Sequence, residues 1–157
     1  MTRKLALFAA AAVVSTAALA QTAPNFALDP TFGGVALVAG FVPDPHTVDI
    51  VAGGPIDAAA ANLGEGCLGF IAEAPDFRLD YTMAANVPLH IFVTATEDTT
   101  LVINQPDGTW VCNDDTNGLN PLVSFPAPMT GIYDIYIGTY GAATTPGVLS
   151  ISEVVTQ

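Results

Sequence analysis

In the stretch "PDFRLDYT", residues 75–82, apolar Phe77, Leu79 and Tyr81 alternate with charged Asp76, Arg78 and Asp80. Successive side chains of an extended strand point to opposite faces, so this order suits a strand with one buried face. The same alternation recurs in "PLHIFVTAT" through Leu89, Ile91 and Val93, and in "TLVIN" through Leu101 and Ile103. It returns in "GIYDIYIGTY" through Tyr133, Ile135 and Ile137, and in "GVLSISEV" through Leu149 and Ile151. "GVALVAGFV" and "HTVDIVAG" read as two more strands joined by the turn "PDPH". Proline, glycine and asparagine punctuate these runs at short intervals, the rhythm of a sandwich. The expected fold is all-β: an antiparallel, jelly-roll-like β-sandwich of about 8 strands. One segment hints at a helix, "IDAAAAN" at 56–62, where Asp57 can cap one or two turns. It is too short to repay helix nucleation unaided.

The chain opens with "MTRKLALFAAAAVVSTAALA". Arg3 and Lys4 precede a short apolar run, and Ala18-Leu19-Ala20 supplies small residues for cleavage, the layout of a secretory signal peptide over 1–20. The apolar run falls short of the roughly 20 residues that favour a membrane span. The residue after the expected cut is Gln21, not a lipid-bearing cysteine. The expected organisation is a signal peptide at 1–20, an irregular arm at 21–32 and a single sandwich domain at 33–155. Export to the periplasm or the medium follows.

With the signal removed, one basic residue, Arg78, stands against fifteen acidic ones, a formal charge of −14. Nucleic acids and anionic membranes are bound through clustered Lys and Arg, so both are excluded as partners. Cys67 and Cys112 are the only cysteines. In an oxidising compartment an isolated pair reads as a disulfide, and neither a CxxC nor a basic neighbour argues for a reactive thiol.

The sharpest local signal is "NQPDGTW", residues 104–110. Pro106 presets a type I turn and Gly108 can close it in the left-handed conformation, which makes a three-residue hairpin. Pairing outward puts Val102 opposite Cys112, Leu101 opposite Asn113 and Thr100 opposite Asp114. Asp98 then falls near Asp115, and Glu97 is one residue further. The cluster offers two readings. Asp98, Asn113, Asp114, Asp115 and Asn117 could hold calcium, which takes six to eight oxygen ligands. Alternatively the loop "NDDTNG" is a solvated turn, since no rigid calcium-loop spacing is present.

The strings "CLGFIAEAPDFRLDYT", "DTTLVINQPDGTWVCNDD", "NPLVSFPAP", "GIYDIYIGTY" and "LSISE" together resemble the bacterial pre-peptidase C-terminal domain and its stand-alone relatives. The resemblance runs from about Gly33 to Glu153. It implies an exported jelly-roll-like sandwich, usually non-catalytic. Some relatives bind extracellular matrix or polysaccharide with calcium support. No peptidase domain accompanies the motifs in this chain.

Catalytic motifs are sparse. Ser124, Ser150 and Ser152 lie outside any GxSxG, and His46 and His90 form no HExxH. His90 alternates with Leu89 and Ile91 and should face outward. The carboxylates at the hairpin end could meet a glycosidase spacing, but no aromatic cleft flanks them. Trp110, Tyr136 and Tyr140 fall opposite the core-facing residues of their strands. They could form an exposed ligand-binding face, or be covered by the arm at 21–34 or the loop at 53–66 with the disulfide pinning the cover. The expected function is a non-catalytic exported binding or accessory module for an extracellular or periplasmic protein or polysaccharide. The alternative is a calcium-stabilised structural or adhesive surface component, and a hydrolase is a distant third.

Overall fold

The computed structural model describes residues 23–141 and 143–154. The expected signal segment 1–20, residues 21 and 22 of the arm, and residue 155 at the expected domain end lie outside them. Eleven strands are formed among the described residues: β1 Gly34–Val38, β2 His46–Ala52, β3 Ile56–Asp57, β4 Phe70–Ile71, β5 Phe77–Thr82, β6 Leu89–Ala95, β7 Thr99–Asn104, β8 Trp110–Asn113, β9 Leu122–Phe125, β10 Gly131–Thr139 and β11 Thr145–Ser152. No helix among the described residues is long and apolar enough to cross a membrane.

The strands make two sheets. In the larger, β10 pairs with β7 along one edge, and β8 extends that side. Along its other edge β10 pairs first with β5, which carries β1, and then with β4, which carries β3. The smaller sheet runs β2-β11-β6-β9. Every pairing is antiparallel except one, because β1 lies parallel to β5. The "PDPH" connection crosses between the sheets. It leads from β1 in one sheet to β2 in the other, so the two strands it joins do not pair.

The alternating residues fill the space between the sheets. Phe77, Leu79, Tyr81, Leu101, Ile103, Tyr133, Ile135 and Ile137 come from one sheet; Leu89, Ile91, Val93, Leu149 and Ile151 come from the other. Burying each such side chain contributes roughly 1.5–3 kcal/mol, and this term drives the two-layer architecture.

Two departures from simple alternation shape the molecule. First, all six residues of β7 are buried. The outer face of β7 and β10 carries a second cluster of Ile56, Ala58, Cys67, Ile71, Val102 and Tyr136. The segment from β3 to β4 forms this cover. Its single helical turn has Asp57 Oδ1 accepting from the Ala59 and Ala60 amides, as the capping role predicts. Gly138 lets the cover approach, since a Cβ there would stand 3.0 Å from the Ile71 side chain.

Second, Asp76 is not on a solvent-facing edge, as the alternation suggested, but 2 % exposed. It fills the gap along β10 between the end of β4 and the start of β5. The Ile137 amide donates to its Oδ2 at 2.6 Å, while the Ile137 carbonyl accepts from Gly53 at 2.8 Å. A buried carboxylate thus replaces one rung of the ladder. Burial pushes its pKa up to about 7, and the Ile137 bond opposes the rise.

Candidate functional site

The β7–β8 hairpin forms as its sequence dictates. Gly108, at φ +81°, donates to the Gln105 carbonyl at 2.8 Å, and Gln105 donates to Thr109 at 2.8 Å. Ile103 pairs with Val111, Val102 with Cys112 and Leu101 with Asn113. Beyond Asn113 the chain leaves the ladder. Asp98 stands just before β7, and Asp114 and Asp115 just after β8, so the hairpin's open end gathers all three.

One carboxylate oxygen from each of Asp98, Asp114 and Asp115 lies within 4.8 Å of the others. Asp98 and Asp114 are half-buried and Asp115 is exposed. The Oδ1 atoms of Asp98 and Asp114 are shielded from solvent and have no hydrogen-bond partner among the described residues. Burial raises the pKa of both; the charge of Asp115 adds to each, and that of Asp98 adds further to Asp114. A buried polar atom without a partner costs about 1–3 kcal/mol, more when charged. Three converging carboxylates with two unpartnered oxygens are therefore a fit for a hard cation such as calcium, which takes oxygen ligands. Beside Asp98 a cleft of about 250 Å³ is lined by Glu97, Thr139, Gly141, Ala143 and Thr144.

The surrounding loop is tied by its amides. Asn113 Oδ1 accepts from the Thr116 hydroxyl and the Leu122 amide, each at 2.9 Å. Both lone pairs are occupied by the loop itself, so Asn113 staples the turn. Asn117 and Asn120 form a bridge closed by a two-residue turn with Gly118 at φ +63°. Asn117 is exposed at the start of that turn. Asn120 Oδ1 accepts from the Ala95 amide at 2.8 Å, which docks the turn on β6.

Cys67 and Cys112 are bonded, with Cα atoms 4.9 Å apart. The bond fixes the β3–β4 cover to β8. Of the two readings of the aromatic face, that cover corresponds to the second, in which the loop at 53–66 lies over it and the disulfide pins the loop. Tyr136 is fully buried, Trp110 is half-buried with its ring centroid 5.7 Å from that of Tyr136, and only Tyr140 is exposed. Tyr140 instead sits at the acidic end, its amide donating to the Asp98 carbonyl at 3.1 Å. The small residues of "IDAAAANLGEGC" were the signal for this cover, since they allow a loop to lie flat on a sheet.

One pairing escaped sequence reading. His90 faces outward, as alternation predicts, and its Nδ1 lies 2.9 Å from Ser124 Oγ on β9. Burial lowers the His90 pKa, and the Asp44 charge opposes that. A nucleophile also needs donors for a developing oxyanion. β6 is flanked by β9 and β11, so its amides are committed to ladders on both sides.

No protein-family model matches the chain. No curated protein matches it either. Among solved structures, it is similar to PliG of Aeromonas hydrophila, a periplasmic inhibitor of g-type lysozyme. Identity is 15% and the TM-score 0.34, over 76% of this chain and 96% of the other. A likeness at that level carries no functional argument.

Proposed function

We propose that the protein is a non-catalytic exported binding module whose acidic end holds calcium and presents it to an extracellular or periplasmic polysaccharide or protein. The observation that carries this reading is the convergence of Asp98, Asp114 and Asp115 with two buried carboxylate oxygens lacking partners among the described residues. A bound cation would satisfy those oxygens and relieve the mutual repulsion. The neighbouring cleft, with Glu97 and the hydroxyl-bearing Thr139 and Thr144, offers polar groups that a sugar hydroxyl could meet. The signal-like leader and the resemblance to pre-peptidase C-terminal domains support the same reading.

Thermal unfolding of the exported form, in calcium and then in a chelator, tests it. At a hundred times its dissociation constant a ligand of the native state stabilises by about 2.7 kcal/mol, which raises the melting point by several degrees. Asp114→Asn/Asp115→Asn should abolish the rise. Capture on immobilised polysaccharides that disappears with chelator completes the expected result. A calcium response with self-assembly and no capture would favour the structural or adhesive component instead. Absence of any calcium response would sink the cation role.

A further inference from the structure

Asn117–Gly118 is the one Asn-Gly pair in the chain. Glycine offers the least steric obstruction to attack on the preceding side chain, because it lacks a Cβ. A second X-Gly pair of related chemistry, Asp107–Gly108, sits in the hairpin turn. The fold treats the two pairs oppositely.

At Asp107–Gly108 both reacting groups are engaged. The Gly108 amide donates to Gln105 at 2.8 Å, and Asp107 Oδ1 accepts from the Thr109 amide at 2.9 Å and from its hydroxyl at 2.6 Å. Those bonds from Thr109 hold the Asp107 carboxyl below its ordinary pKa, as the less reactive anion. At Asn117–Gly118 the backbone bonds run between Asn117 and Asn120, leaving the Gly118 amide without a partner among the described residues. Asn117 and Gly118 are exposed, and nothing lies within 4 Å of where a Gly118 Cβ would be.

We infer that Asn117 is a spontaneous deamidation site in the folded protein, while Asp107 is protected from the parallel isomerisation. The Gly118 nitrogen gives its proton to solvent and bonds to the Asn117 side-chain carbonyl carbon. The bond from that carbon to the amide nitrogen breaks, and ammonia leaves. Water then opens the five-membered imide at either carbonyl, giving an aspartyl or isoaspartyl residue at position 117. The reaction needs only water, and it adds a carboxylate to the segment that already carries Asp114 and Asp115.

The test follows both positions by peptide mass mapping and isoaspartyl methylation. The full exported chain is incubated, folded and in denaturant, at mildly alkaline pH to follow position 117 and at mildly acidic pH to follow position 107. The expected result is isoaspartate at 117 in the folded protein at a rate close to that of the denatured chain. At 107, folding should slow the reaction at least about fivefold, because hydrogen bonds to both reacting groups must first open. Asn117→Gln should remove the product at 117 without changing the melting point. If the folded chain keeps 117 intact while the denatured chain converts, or if folding protects the two positions equally, the inference is wrong.

Discussion

The Trp110 ring lies 5.7 Å, centroid to centroid, from that of Tyr136, beneath a cover that the Cys67–Cys112 bond fastens to the same strand. The short β3–β4 segment contributes only two-residue strands of its own. Its attachment therefore depends on the disulfide as well as on the apolar contacts. Reduction, or the Cys67→Ala/Cys112→Ala pair, should cost roughly 2–4 kcal/mol. It should also shift Trp110 emission to longer wavelength before the main transition. Emission unchanged up to global unfolding would show that the cover holds without the bond.

Under the same cover the Tyr136 hydroxyl is buried with no partner among the described residues, and burial raises its pKa. Removing an unsatisfied buried group relieves its desolvation penalty. Tyr136→Phe should therefore leave stability unchanged or raise it by up to about 1 kcal/mol. A clear loss in denaturant melts would point to a buried water on that oxygen.

Asp76 makes stability fall as pH rises. Its carboxyl titrates near 3.8 when unfolded and about 7 when folded. Between those values the native state holds a proton that the unfolded state has released, so stability is greatest at the acid end. It declines as pH passes through about 7. Asp76→Asn keeps an acceptor for the Ile137 amide and removes the charge. The variant should flatten the difference in melting point between acid and alkaline buffers and stabilise the alkaline state by up to about 4 kcal/mol. Parallel pH profiles for variant and parent would refute the assignment.

Arg78 is the sole lysine or arginine beyond Lys4, and its side chain ties β5 to β10 and to the arm. Its Nε donates to Asp134 at 2.6 Å, and its Nη2 donates to the carbonyls of Phe26 at 2.5 Å and Leu28 at 3.3 Å. Burial raises the Asp134 pKa and Arg78 pulls it down. Arg78→Met should strand that buried carboxylate and cost about 2–3 kcal/mol. It should also expose the arm around Phe26–Leu28 to limited proteolysis. An arm as resistant as the parent's would mean that its backbone bonds to Glu73, Pro75 and Asp76 suffice.

The core was legible in the sequence because a strand's side chains alternate strictly. Once Leu79, Ile91, Ile103, Ile135 and Leu149 share a period of two, the buried face follows without knowledge of the partner strand. The β7–β8 hairpin was legible too, since Pro106 and Gly108 set its turn locally and the register then counts outward to Asn113. Asp98 could be placed near Asp115 for that reason alone. What the chain by itself did not reveal depends on contacts between segments far apart. Alternation put Asp76 in solvent, but the gap between β5 and β4 along β10 made it a buried acceptor. Trp110 and Tyr136 were on the outer face as counted, and the cover from β3 to β4 decided that this face is closed. The Asn113 oxygen is met by Thr116 and the returning Leu122, contacts that no local pattern announces. The parallel seat of β1 and the His90–Ser124 pair belong with these. Local periodicity fixes which way a side chain points, whereas the tertiary fold alone decides what waits there to meet it.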